Sequence, residues 1–229
     1  MKRLIVGFPY IFLGISILAA CGLENPASDD DGGDQVTVLT NGTLIDGTGA
    51  EPVPDVRILI RNEYIEAVGT ASTVIIPAGA EVIDVMGAYI LPGLMNTHVH
   101  SGYTKSNLAA WAQAGVTTVR DVGDFSMSPR QAYSTRDSRL QNNEYARLVA
   151  AGPLVTTVGG YGNYPVTSAD NAERVVTDLI GDGADFIKIA IEDNLQGRTW
   201  SMLSQAEITR IVETAHGLGK PVAAHISRT

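Results

Sequence analysis

Pro92-Gly93-Leu94-Met95-Asn96-Thr97-His98-Val99-His100 is the stretch on which the reading of this chain turns. It is a short apolar run that closes on two histidines two positions apart. Side chains alternate across a strand, so His98 and His100 share one side while Val99 faces the other. Similar runs follow at Val116 to Val119, Leu154 to Val158, Phe186 to Ile191 and Val222 to Ile226. Helical patterns separate them over Asn107 to Ala114, Arg139 to Ala150, Ala169 to Ile180 and Gln205 to Leu218. Repeated strand–helix units predict an α/β fold with a parallel sheet and right-handed crossovers. Ser204 with Glu207 is a capping-box pattern that starts the last helix, and Gly217 and Gly219 end it.

A closed (β/α)8 barrel takes about 250 residues, whereas Ile90 to Thr229 supplies 140. The pattern therefore describes either an open doubly wound sheet or part of a barrel. In both, reactive groups gather at the C-terminal ends of the strands.

The whole chain has 229 residues, 45% hydrophobic and 18% charged, which is enough apolar material for a core. Its net charge of −9 argues against a nucleic-acid partner. One cysteine excludes an intramolecular disulfide and a cysteine-based zinc knuckle. Residues 1–20 have a basic start, an apolar stretch from Leu4 to Leu18 and small residues before Cys21, the pattern of a secretory signal peptide. Leu18-Ala19-Ala20-Cys21 resembles a bacterial lipobox, which implies lipidation of Cys21 and anchoring in the cell envelope, at the outer membrane or periplasm. Residues 21–35, with Asp29-Asp30-Asp31-Gly32-Gly33-Asp34, read as a flexible acidic tether. From 36 to 89, short apolar runs with Asn41-Gly42 and Asp46-Gly47 between them predict antiparallel strands joined by tight turns.

Four residues carry the chemistry. His98 and His100 suit a metal ion, since two imidazoles at a strand end converge on one side, and two solvated histidines are the alternative. Lys188 sits inside Asp185-Phe186-Ile187-Lys188-Ile189-Ala190-Ile191, which reads as a buried parallel strand. Desolvation lowers an ammonium pKa, and a neutral amine can add CO₂ to give a carbamate whose two oxygens suit bridging two cations. The alternative is a lysine reaching for the rim beside Glu192 or Asp193. His225 ends Pro221-Val222-Ala223-Ala224-His225, again at a strand end. His216 lies within the preceding helix and reads as structural.

Ordered motifs now carry a resemblance. Leu44-Ile45-Asp46-Gly47-Thr48-Gly49, Pro92-Gly93-Leu94 running into His98-Val99-His100, Ala114-Gly115-Val116-Thr117-Thr118-Val119-Arg120-Asp121, Gly183-Ala184-Asp185-Phe186-Ile187-Lys188-Ile189 and Gly217-Leu218-Gly219-Lys220-Pro221-Val222-Ala223-Ala224-His225 are similar to the metal-dependent amidohydrolase superfamily. The imidazolonepropionase-like and Xaa-Pro dipeptidase-like branch is the nearest. The resemblance implies a partial TIM barrel, about strands one to five over residues 90–229, preceded by part of a small β-sandwich over 36–89. It also implies two divalent metal ions, zinc, held by His98, His100, a carbamylated Lys188 and His225. A metal-bridging hydroxide would then hydrolyse a carbon–nitrogen bond in a small amide or peptide-like substrate. The family's strand-six histidine and strand-eight aspartate would lie beyond residue 229, so the resemblance implies a fragment that is inactive alone. Tyr161 stands in Gly160-Tyr161-Gly162 where many relatives have histidine, which makes it a candidate substrate contact. A non-catalytic lipoprotein fragment and a lactonase or other ester-cleaving member remain the alternatives.

Overall fold

The computed structural model describes residues 34–140 and 142–226. The signal peptide, Cys21 and the tether up to residue 33 lie outside the described residues. The described residues divide at Pro92/Gly93 into two units.

The first unit is one mixed sheet. Its strands are β1 (Val36–Leu44), β2 (Val53–Arg61), β3 (Tyr64–Gly69), β4 (Glu81–Asp84) and β5 (Tyr89–Ile90). The order is β3-β2-β1-β4, with β5 also on β1. β1–β2 and β2–β3 are antiparallel as expected, but β4 and β5 run parallel to β1. The expected turn at Asn41-Gly42 is instead an irregularity inside β1. Asn41 takes φ 60° there, a left-handed conformation that asparagine tolerates. A Cβ on Gly42 would lie 2.6 Å from the Ile90 side chain and 2.7 Å from that of Val85, so a larger residue here would force both to shift. The hairpin turn falls at Asn62-Glu63, between β2 and β3. Val38, Leu59 and Val74 form one buried cluster of this unit, and Val56, Ile58 and Ile60 are buried as well.

The second unit repeats strand and helix. It contains β6 (Leu94–Val99), α1 (Lys105–Gln113), β7 (Val116–Asp121), α2 (Pro129–Leu140), β8 (Arg147–Ala150), β9 (Leu154–Thr157), β10 (Tyr164–Val166) and α3 (Ala169–Asp182). Then come β11 (Ile187–Ile191), β12 (Asn194–Leu195), β13 (Arg198–Thr199), α4 (Gln205–Gly217) and β14 (Val222–Ile226). Two parallel sheets result, β6-β7-β8 and β10-β9-β11-β14, with β12–β13 a separate hairpin. The expected parallel α/β architecture is therefore present.

One expected helix is not. Arg139 to Ala150 contains the end of α2, a break, and then strand β8, which pairs with Thr118 to Asp121 of β7. Leu148 and Ala150 are buried, so sheet pairing and core packing override the local pattern. α2 itself starts at Pro129, where a missing N–H costs nothing.

Helix ends set where the site-bearing strands begin. Ser168 caps α3 through the Asn171 N–H, and Gly183 closes it at φ 119°. Ser204 and Glu207 form the expected capping box of α4. Between the helices and the strands lie Leu108, Val119, Val155, Val176, Ile187 and Ile211, among others, all fully buried. Each such side chain stabilises the fold by about 1.5–3 kcal/mol.

Arg136 of α2 is a buried tie. Its guanidinium donates to the Gly183 carbonyl at 2.7 Å, to Asp185 at 2.8 Å and to Asp137 at 2.8 Å. Asp185 also accepts the Ala150 N–H at 2.8 Å. One side chain thus joins α2 to the end of β8, the cap of α3 and the approach to β11.

Candidate active site

β6 delivers His98 and His100. Val99, between them, is buried in the core with the helices, so both imidazoles are turned away from it. Their ring centroids are 5.5 Å apart. His100 Nδ1 lies 2.9 Å from the Gly123 carbonyl. With that carbonyl as acceptor, Nδ1 carries the proton and Nε2 keeps its lone pair.

Gly123 is itself held. Its N–H donates to Asp121 Oδ1 at 3.0 Å, and the Gly102 N–H donates to Oδ2 at 2.7 Å. Asp121 is fully buried, and that burial raises its pKa despite the two N–H donors, which pull the other way. Asp121, at the end of β7, therefore supports the loops on both sides of His100.

Lys188 lies on β11 and is 5% exposed. Its neighbours across the sheet are Ala223 of β14 and Leu154 of β9. Ala190 pairs with His225, and residues two apart on a strand share a face, so Lys188 and His225 point to the same side. Burial lowers the Lys188 pKa, and the Arg120 guanidinium lowers it further. Arg120 is held by the Thr97 carbonyl at 2.7 Å and lies over the Phe186 ring.

His98 has a lowered pKa too. Burial is the main cause, followed by the positive charges of Lys188, His100, Arg120 and His225. The other three candidate ligands are thus each close enough to act on His98. Among the described residues, no three His, Cys, Asp or Glu side chains form a metal-binding group by themselves. Lysine is outside that set, so this has no bearing on Lys188.

His225 Nε2 is 3.3 Å from Glu192 Oε2, and Glu192 is buried, 1% exposed. The ring of His225 lies against Tyr161, with centroids 4.8 Å apart. Tyr161 in turn meets Trp200 edge-on at 5.5 Å, and Arg198 stands over Trp200. The flanking glycines let the Tyr161 loop fold this closely. A Cβ on Gly160 would come 2.7 Å from the Ser201 carbonyl, and one on Gly162 would come 2.7 Å from the Leu154 carbonyl.

Asp121, Arg120, Trp200 and the role of Glu192 beside His225 were not apparent from the sequence. A signal existed for Glu192. Lys188 and Glu192 are four apart on an extended segment and so share a face. His216 is exposed in the last turn of α4, away from the core.

No family model matches the chain. A solved amidohydrolase structure superposes with a TM-score of 0.67 at 26% identity, covering 83% of this chain and 56% of that one. A Xaa-Pro dipeptidase crystallised with methionine in its active site gives 0.65 at 25%, with the same coverage. These neighbours are amidohydrolase-superfamily members, and the architecture shared with them is α/β with parallel sheets. Among curated proteins, a dihydroorotase of Thermoanaerobacter sp. is 37% identical over 171 residues, 61% of this chain and 38% of the relative. An adenine deaminase of Listeria monocytogenes is 34% identical over 86 residues, 36% of this chain and 14% of the relative. The chain spans about half the length of the solved neighbours and little more than a third of the dihydroorotase.

Proposed function

We propose that this chain carries part of the site of a hydrolase for carbon–nitrogen bonds, in which His98, His100, Lys188 and His225 hold two divalent cations, zinc in the first instance. One observation carries the reading. A buried lysine with a lowered pKa shares a strand face with His225, and its charge acts on His98. Relatives named as amidohydrolase, Xaa-Pro dipeptidase, dihydroorotase and adenine deaminase support the same class of bond.

The residues present fit such a group. His100 has its Nδ1 committed to the Gly123 carbonyl, which frees Nε2 as a donor. The lowered pKa of His98 keeps its imidazole neutral at neutral pH, as a ligand must be. Lys188, once neutral, adds CO₂ by forming an N–C bond and releasing a proton to water, which leaves an anion with two oxygens. When bound, the two cations supply a nucleophile from water at neutral pH and polarise the carbonyl under attack. Tyr161, stacked beside His225, is the side chain that a bound amide or peptide-like substrate would meet.

The test is metal analysis of the natural full-length protein, followed by a panel of dipeptides, N-acyl amino acids, cyclic amides and lactones. Two zinc ions per chain and amide hydrolysis that stops with chelator are expected. A protein without bound metal, whose activity chelator leaves unchanged, would overturn the proposal. Cleavage of lactones alone would move it to the ester-cleaving class.

The location proposed for this activity is the cell envelope, with lipid on Cys21 as the anchor to the membrane. Mass analysis of membrane-extracted protein should find a diacylglyceryl-modified Cys21 as the first residue. An unmodified chain that begins at Met1 would rule this out.

A further inference from the structure

We infer that Glu192 is a positioning residue, one that holds His225 as its Nε2–H tautomer and leaves Nδ1 as the nitrogen with a lone pair. The inference rests on the proposed role of His225 as a metal ligand. Glu192 follows directly on β11 and shares a face with Lys188, so its carboxylate belongs to the same cluster.

A buried carboxylate is costly unless donors surround it. Among the described residues, two stand within reach. The Asn194 N–H donates to Oε1 at 2.9 Å, which fixes the carboxylate plane, and Oε2 faces His225 Nε2 at 3.3 Å. A neutral imidazole has one N–H and one lone pair, so an acceptor beside Nε2 draws the proton there. At 3.3 Å the contact does not have the geometry of a formed hydrogen bond; contacts at metal-free sites often tighten only when a ligand draws the side chains in. Tyr161 covers a face of the ring, which restricts its rotation away from Glu192.

The two histidines then offer opposite nitrogens. At His100 the Gly123 carbonyl occupies Nδ1 and leaves Nε2. At His225 the carboxylate faces Nε2, and the nitrogen left to a cation is Nδ1. Each imidazole is oriented by an oxygen the fold has already fixed, so neither needs to search rotamers or tautomers when a cation arrives.

The experiment uses the full chain, first free of metal. In histidine-labelled protein, nitrogen-edited NMR should show His225 protonated at Nε2, with that proton shifted downfield and protected from exchange. An Nδ1–H tautomer, or a rapidly exchanging Nε2 proton, overturns the inference. Equilibrium dialysis against zinc alone then compares variants. Glu192→Met, which keeps length but has no acceptor, should bind zinc about 10–100-fold more weakly. Glu192→Gln, whose amide oxygen still accepts, should stay much nearer to the parent. Parental zinc affinity in folded Glu192→Met refutes the inference. The NMR result stands even if both variants fail to fold. If the parent protein shows the protected proton but binds no zinc, the metal proposal falls and the pairing of Glu192 with His225 survives.

Discussion

Lys188→Ala is expected to lose bound zinc and to lower hydrolysis of amide substrates by more than about 100-fold, beyond what loss of a supporting residue costs. The lysine is the only side chain of β11 that can become a bridging anion, because its neighbours on that strand are isoleucines and an alanine. Lys188→Glu should recover part of the zinc content, since a carboxylate also has two oxygens on a shorter stem. Normal zinc content and turnover in Lys188→Ala would sink the bridging role.

The same residue should show the opposite effect on stability. Burial and Arg120 hold its pKa below the ordinary value of about 10.4. Where the folded pKa is lowered, the unfolded chain binds more protons between the two values, so stability rises with pH across that window. Below it, the buried ammonium destabilises the fold at full strength. Metal-free Lys188→Met should therefore have a higher urea midpoint than the parent at neutral pH. The difference should shrink as pH climbs through the lowered pKa towards 10. Such a variant, more stable and inactive, is the trade-off expected of a site-forming group. A midpoint equal to the parent's at neutral pH would show that the lysine is better solvated than its burial implies.

Arg136→Ala should produce the largest loss of stability among the polar residues, about 3 kcal/mol. Arg136 is 8% exposed, and its removal strands the Gly183 carbonyl and leaves Asp185 without its cation. Asp185 precedes β11, so the damage reaches the segment that carries Lys188. Arg136→Lys should recover little, because an ammonium cannot reproduce a fork that meets Asp137, Gly183 and Asp185 together. The control is Arg130, also on α2, which pairs with Asp182 at 3.1 Å with its side chain 84% exposed. Arg130→Ala should change stability by no more than about 0.5 kcal/mol. Equal urea midpoints for the two alanine variants would remove Arg136 from this role.

Much of this could be read from local pattern. His98 and His100 on one side of a strand, Lys188 in an apolar run and the box at Ser204 and Glu207 each depend on residues a few positions apart. The strands β6, β7, β9, β11 and β14 were legible for the same reason, since a buried parallel strand is a short apolar run between turns. β8 and α2 were not. α2 has almost no apolar stripe, presenting Ala132, Tyr133 and Arg136 inward, and four residues of strand are too few to show a period. The parallel placement of β4 and β5 on β1 was hidden too, because strand direction is decided by where a connection lands and not by the strand's own composition.

The sequence by itself determined which residues could do chemistry and the repeating α/β class that would carry them, since residue type and periodicity are local properties. Only the tertiary structure decided the surroundings and orientation of those residues. Gly123 reaches His100, Glu192 reaches His225, and burial with Arg120 acts on Lys188 across separations that no pattern records. The reason is physical: hydrogen bonds and electrostatic shifts depend on distance and on exclusion of water, and both are set only when distant strands have packed.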